Sequence, residues 1–449
     1  MLSPKSSTFR LIEVLNTSAA SLLVYQGVVE SKVGKSFLNF LSCLQQAQIA
    51  AAQNSVFSEK NKCWQAYGIF FKALATQNIS WQTYLIKGII RDENPFSRIS
   101  QTTNFNEIPK PLIDAAKQDL QALQSLYKCT GEQLSEWLQE VCHAAEGPVF
   151  WPDEIGLNSD KLNAKIVEVL QNSKNWSDTV EELAIYYRQY GTGIFAENFA
   201  LRWESGEFVE IKNPDPVRLD NLNSYEGQKE ALLKNTEFLL AGFPALHVLL
   251  YGSRGSGKSS LVKALLNEYG KKGLRLIEVS KADLKALPNI VEDLRNCPHK
   301  FIIFVDDLSF EEDDDAFKSL KVVLEGSLTA RPQNVVVYAT SNRRHLVREF
   351  FDDRPRPKDA DEIHSWDTVQ EKLFFSDRFG LTLTFEPANQ ETYLNIVKHL
   401  SEQANIPLSW QQIQPRALQW ATRHNGRSGR TARQFVDFLT AELTLTKNP

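Results

Sequence analysis

Cysteine is scarce and scattered. The 449 residues hold five, Cys43, Cys63, Cys129, Cys142 and Cys297, with no C-x-x-C pair. An odd number at such distances builds neither a disulfide framework nor a recognisable zinc site, and it suits a reducing compartment. Long apolar runs are lacking as well: no stretch approaches the roughly 18 residues of a membrane span. The opening MLSPKSSTFRLIEVLNTSAASLLVY has no long apolar core or cleavage signal of a secretory leader. Nor does one charge dominate. Lys and Arg number 50 against 55 Asp and Glu, a net −5, so nucleic acid or an anionic membrane would be met only through a local patch. No internal repeat is visible. These absences leave a cytoplasmic protein without a membrane partner as the expectation.

What is present is an ordinary globular composition, 42% hydrophobic and 23% charged, over a length that suggests about two to three domains. Through residue 191 the pattern is helical. FLNFLSCLQQAQIAAAQ and CWQAYGIFFKALATQ repeat apolar residues at spacings of three and four. PLIDAAKQDLQALQSLYKCTGEQLSEWLQEVCHAA reads as two helices split near Thr130-Gly131, and LNAKIVEVLQNSKNWSDTVEELAIYYRQYG continues the theme. Phe and Trp at such spacings are core, because burial of one helix face explains them. Residues 192–223 hold turn residues, short β-like pieces, Pro214 and Pro216, and read as a linker.

After the linker, helical segments alternate with the short apolar runs HVLLY (247–251), RLIEV (275–279), FIIFV (301–305), VVVYAT (335–340) and LTLTF (381–385). Such an alternation predicts a parallel sheet covered on both faces. From about residue 389 the pattern is helical again. The expected architecture is α/β: a helical N-terminal domain (1–191), a linker (192–223), a P-loop parallel-sheet domain (224–388) and a small helical lid (389–449).

YGSRGSGKSSLVKALL places chemistry between the first run and its helix. Gly252, Ser253, Arg254, Gly255, Ser256, Gly257, Lys258 and Ser259 fit G-x-x-x-x-G-K-[ST], with Ser260 next. Glycines let the loop curl so that successive N–H groups point at an anion, and the following helix adds its positive end. Lys258 reaches the β- and γ-phosphates in this pattern, and the Ser259 hydroxyl ligates Mg²⁺. The alternative is a chance Gly/Ser turn before a helix. A triphosphate cradle calls for an apolar strand ending in carboxylates, and FIIFVDDLSF supplies one. Asp306 is the expected metal holder and Asp307 the group that polarises the attacking water; an acid pair in that place can also cap a helix.

Later residues sort the P-loop classes. VVVYATSN ends in Thr340, Ser341 and Asn342, suited to orienting a water or reading the γ-phosphate; FSDRFGLTLTF presents Arg378 before a strand; HNGRSGRTARQFVDFL offers Arg430 and Arg433. Together these residues resemble the AAA+ ATPases over roughly residues 215–445. The resemblance implies that Asn342 is sensor 1, that Arg378 is an arginine finger acting on ATP held by a neighbouring subunit, and that Arg430, with Arg433 one turn along as the alternative, is sensor 2. LDNLNSYEGQKEALLKNTEFL resembles the segment whose backbone packs on adenine, around Tyr225 and Gly227. Within AAA+ the chain looks most similar to a bacterial group of ATP-binding proteins of unknown function, sharing a helical N-terminal half, the DDL-x-F acid strand, TSNRRHL and SDRFGL.

One departure matters. The family commonly has Asp-Glu where this chain has Asp306-Asp307, which sets the second carboxylate about one methylene further from the water, and hydrolysis depends on such positioning. Asp-Asp also occurs among helicase-loader ATPases. The expectation is a homo-oligomeric AAA+ ATPase using ATP and Mg²⁺, turning over slowly and moving an unidentified protein partner held by the N-terminal half. Two alternatives stand beside it: a DNA-transaction ATPase, disfavoured by the acidic balance and the lack of an aromatic-and-basic stripe, and an ATP-gated scaffold that hardly hydrolyses. The acid run Glu311, Glu312, Asp313, Asp314, Asp315 reads as a solvated loop. The charged connection 341–372, with His345, His364, Arg343, Arg344, Arg348, Arg354 and Arg356, reads as a segment coupling nucleotide state to a partner. Interleaved acids argue against its arginines meeting nucleic acid.

Overall fold

Apolar residues spaced three and four apart form helices in the first half, as the periodicity requires. Helices Lys32–Ala51 and Phe57–Gln77 pack together, and Trp81 stacks on Phe37 with ring centroids 3.9 Å apart. Phe37, Phe40, Trp81, Trp137 and Trp176 are all buried, whereas Trp64 is exposed. The sequence split near Thr130 is a helix cap: Thr130 Oγ1 accepts the Gln133 N–H at the start of helix Gly131–Cys142. The buried Asp119 carboxylate accepts the N–H groups of Leu23, Val24 and Tyr25, fixing the turn after helix Ser7–Ala20. The computed structural model describes residues 7–51, 57–153, 164–310, 315–325, 330–342, 374–424 and 426–447. Two compact units divide the chain between Ala196 and Glu197, and this helical unit is the first.

The second unit is built on seven strands: β1 (Ala200–Glu204), β2 (Glu207–Glu210), β3 (Val248–Gly252), β4 (Leu274–Glu278), β5 (Lys300–Val305), β6 (Val335–Ser341) and β7 (Leu381–Phe385). Their order is β2-β1-β4-β5-β6-β3-β7, parallel except for the β1–β2 pair. Each apolar run read from the sequence is a strand within one residue of its expected ends. β3 lies between β6 and β7 in the sheet, so residues leaving the carboxyl ends of β3, β5 and β6 share one crevice, where ligands of open α/β sheets bind. Helices Gln390–Gln403, Trp410–Arg423 and Gly429–Lys447 follow with their own core around Tyr393, Val397, Ala417 and Leu439.

The stretch 192–223 differs from its reading as a linker. It contains helix Gly193–Glu197 and the β1–β2 hairpin, and β1 pairs in parallel with β4. Ser205 and Gly206, both at positive φ, make the two-residue turn that matches strand twist. β2 is an edge strand exposed along most of its length, so it carries no apolar alternation to mark it in the sequence. Residues 311–314 of the acid run, and 343–372 of the charged connection with its arginines and histidines, lie outside the described residues. Among the described residues, no helix is long and apolar enough to cross a membrane.

Candidate active site

The cradle forms because β3 ends where side chains cannot be accommodated. Gly252 has φ +138° and pairs with Phe385; a Cβ there would fall 2.0 Å from the Phe385 carbonyl oxygen. Gly255 and Gly257 sit at φ +74° and +91°, the left-handed region that costs a side chain about 1–2 kcal/mol. The loop so bent delivers the chain into helix Lys258–Tyr269, whose first N–H groups have no partner within the helix and face an incoming anion. Lys258 is 6% exposed. Its Nζ donates to the carbonyls of Gly252 and Ser253 at 3.0 and 2.7 Å and lies 3.4 Å from Asn342 Oδ1. Burial pushes its pKa down, Asp306 and Asp307 oppose that, and Arg430 adds to it. A half-desolvated ammonium beside another cation favours an anion in the cavity.

β5 brings the acids opposite. Asp306 Oδ1 accepts the Ser259 hydroxyl at 2.6 Å and also the Thr340 hydroxyl. Thr340 Oγ1 in turn accepts the Asp307 N–H at 3.0 Å, and Asn342 Nδ2 donates to Asp307 Oδ1 at 2.7 Å. One chain of contacts therefore runs from Ser259 through Asp306, Thr340 and Asp307 to Asn342 and Lys258. Thr340 is 2% exposed. Its place in that chain is to fix the acid pair, a task distinct from the water-orienting role suited to it by sequence. Asp307 adopts φ +51°, a conformation more open to Asp than to most residues. The Ser259 and Asp306 oxygens are the hard donors that Mg²⁺ takes, so the residues fit that ion.

These groups open on a cavity of about 850 Å³ lined by Arg254, Gly255, Ser256, Gly257, Ser260 and Tyr225, among others. Tyr225, at φ +61°, starts helix Glu226–Leu240; its hydroxyl donates to Glu386 O at 2.5 Å and its ring lies 5.1 Å from that of Phe385. Gly227 is the next residue but one. It sits in that helix, does not line the cavity, and a Cβ on it would meet nothing within 4 Å. The C-terminal helices form the opposite side. Arg430 N–H donates to Gly255 O at 3.2 Å, a Cβ on Gly255 would be 2.9 Å from Ser428 Oγ, and both Arg430 and Arg433 line the cavity.

Arg378 is elsewhere. It ends the short helix Phe374–Arg378 just before β7 and pairs with Glu325. Because β3 and β7 are parallel, Arg378 lies at the amino end of a strand whose carboxyl end meets the cradle, about 16 Å away along a five-residue strand. It does not line the cavity of its own chain. Sequence reasoning had no signal for the wall formed by residues 215–222, nor for His399 and Gln403 behind it, since those contacts run mostly through backbone carbonyls.

Comparison with known proteins places the site in a family. The profile of DUF815, described as a protein of unknown function, matches residues 196–443. None of the curated proteins matches the chain. Among solved structures, the chain is similar to the Thermotoga maritima RuvB Holliday junction branch migration motor at 14% identity, covering 50% of this chain and 72% of that one with a TM-score of 0.30. It is similar also to the replication initiator DnaA bound to AMPPCP and single-stranded DNA, at 19% identity, with 50% and 65% covered and a TM-score of 0.34.

Proposed function

We propose, for a chain that belongs to the DUF815 family of proteins of unknown function, that it is an AAA+ ATPase which binds and slowly hydrolyses ATP in the cavity behind Gly257. The observation that carries this reading is the continuous set of contacts joining Lys258, Ser259, Asp306, Thr340, Asp307 and Asn342 at the ends of three neighbouring strands. Loop N–H groups and the helix start hold the phosphates. Lys258 exchanges the carbonyls of Gly252 and Ser253 for phosphate oxygens, and its charge offsets theirs. Ser259 and Asp306 would hold Mg²⁺, which when bound neutralises charge developing on the triphosphate. Asp307, oriented by Asn342, accepts a proton from the attacking water; Asn342 keeps that carboxylate turned toward the γ-phosphate position. Tyr225 forms the wall on the base side.

Arg430 follows the lid and Arg378 serves a neighbour. Its position at the far end of β7 keeps it from its own cradle, and to act as a finger it would leave Glu325 and enter the site of a second copy. The protein so read is a homo-oligomer whose lid motion is passed to a protein partner through the N-terminal helical unit. Its five free thiols suit the cytoplasm.

Phosphate release by wild type and by Lys258→Ala, with and without DNA, tests the reading. Wild type should hydrolyse ATP with Mg²⁺, and Lys258→Ala should lose roughly 10²–10³-fold. Equal rates in the two proteins contradict the site. Tight ATP binding with no release of phosphate would favour a gated scaffold, and strong stimulation by DNA would favour a DNA-transaction ATPase.

A further inference from the structure

Asp215, Pro216, Val217, Asn221 and Leu222 line the cavity from a strip with little regular structure beyond the turn Leu219–Asn221. A strip like this would ordinarily hold its shape poorly, because its carbonyls lack ladder partners. Here side chains from three helices take those carbonyls. Asn267, on the helix that begins at Lys258, donates to Asp215 O and Val217 O at 3.1 and 2.7 Å. Lys229 donates to Leu219 O at 3.2 Å. On lid helix Gln390–Gln403, His399 Nε2 and Gln403 Nε2 meet Asp220 O at 2.5 and 2.8 Å, and Asn221 Nδ2 donates back to Gln403 Oε1 at 3.0 Å. The same lid helix sets Ile396 and Leu400 into the cavity wall, which Asn221 and Leu222 of the strip also line.

We propose that His399 and Gln403 form a clamp by which the lid holds the 218–222 strip against bound nucleotide and so sets the rate at which nucleotide leaves. The inference rests on the cavity being the ATP site. Among the described residues, hydrogen bonds join the lid to the rest of the unit at two separate places. One is Arg430 against Gly255, on the phosphate cradle. The other is the Asp220 carbonyl, where the clamp touches neither the cradle nor the acid pair. A contact on the cradle distinguishes nucleotides by their phosphates. The clamp has no phosphate to sense, so it acts on ATP and ADP alike, and ADP release is the step it governs most directly. His399 donates to Asp220 O in the tautomer that carries the proton on Nε2, and Gln403 links the carbonyl to Asn221, so Gln403 and Asn221 act as a pair.

Stopped-flow dissociation of fluorescent mant-ATP and mant-ADP, chased with unlabelled nucleotide, tests this on full-length wild type, Gln403→Ala, Asn221→Ala, the double variant and Arg430→Ala, with unfolding midpoints as a check on folding. Gln403→Ala should release both nucleotides faster by a similar factor, about threefold to tenfold for the loss of one or two hydrogen bonds. It should raise KM without lowering turnover at saturating ATP. Arg430→Ala should affect mant-ATP more than mant-ADP. Asn221→Ala should add little in the Gln403→Ala background, the mark of a coupled pair. Dissociation from Gln403→Ala at the wild-type rate, or faster release of mant-ATP alone, overturns the clamp while leaving the site intact. Failure of wild type to bind either nucleotide overturns the reading of the cavity, and the clamp with it.

Discussion

At the scale of single residues, the acid pair is Asp306-Asp307 where the AAA+ pattern that the chain resembles commonly has Asp-Glu. Asp307 is held at φ +51° with its N–H on Thr340 and its carboxylate on Asn342, so its short side chain is oriented but not extended. Proton abstraction from water depends on reach to within a few tenths of an ångström. Asp307→Glu therefore restores the missing methylene and should raise turnover by roughly threefold to tenfold at saturating ATP, with little change in ATP affinity. Steady-state phosphate release beside equilibrium nucleotide binding checks it; a fall in turnover would mean that Asp307 already stands at the working distance. Lys258, Ser259 and Asp306 were legible in the sequence because motif spacing and a strand's end fix their places. Thr340 was legible as a polar group and not as the link between the acids, since that role arises only when β6 is threaded between β3 and β5.

At the scale of elements, the site exists because two parallel strands, β3 and β7, pair closely at a glycine. Gly252 pairs with Phe385, and the Phe385 carbonyl accepts the Ser253 N–H at 2.9 Å. In Gly252→Ala the new methyl meets that carbonyl, so β7 must shift or the cradle must open. The expected loss is about 3 kcal/mol or more for this unit. In Gly257→Ala the methyl has open space and only the left-handed backbone resists, a cost of about 1–2 kcal/mol. Urea unfolding of the two variants checks the ranking, and an equal loss in both would contradict it. The central strands were readable from sequence because burial on both faces leaves unbroken apolar runs such as Phe301–Val305. The β1–β2 hairpin was not, because a half-exposed edge such as Glu207–Glu210 differs little from a loop in composition. The wall of residues 215–222 was illegible for a related reason: side chains far away in the sequence hold it by its backbone.

At the scale of the whole molecule, the proposed finger and the proposed cradle stand at opposite ends of parallel strands, so no one copy completes its own site. Such head-to-tail use of one surface against a different one generates rings or filaments. The measurement that bears most directly on this is ATP hydrolysis by a mixture of Lys258→Ala and Arg378→Ala, each of which breaks a different half of the shared site. Each variant alone should turn over roughly 10²-fold or more below wild type at every protein concentration, and wild type should gain rate per subunit as concentration rises. An equal mixture should recover up to about a quarter of the wild-type rate, because random neighbours place an intact cradle beside an intact finger that often. Hydrolysis by Arg378→Ala at the wild-type rate, or a mixture as inactive as its components, would contradict the shared site.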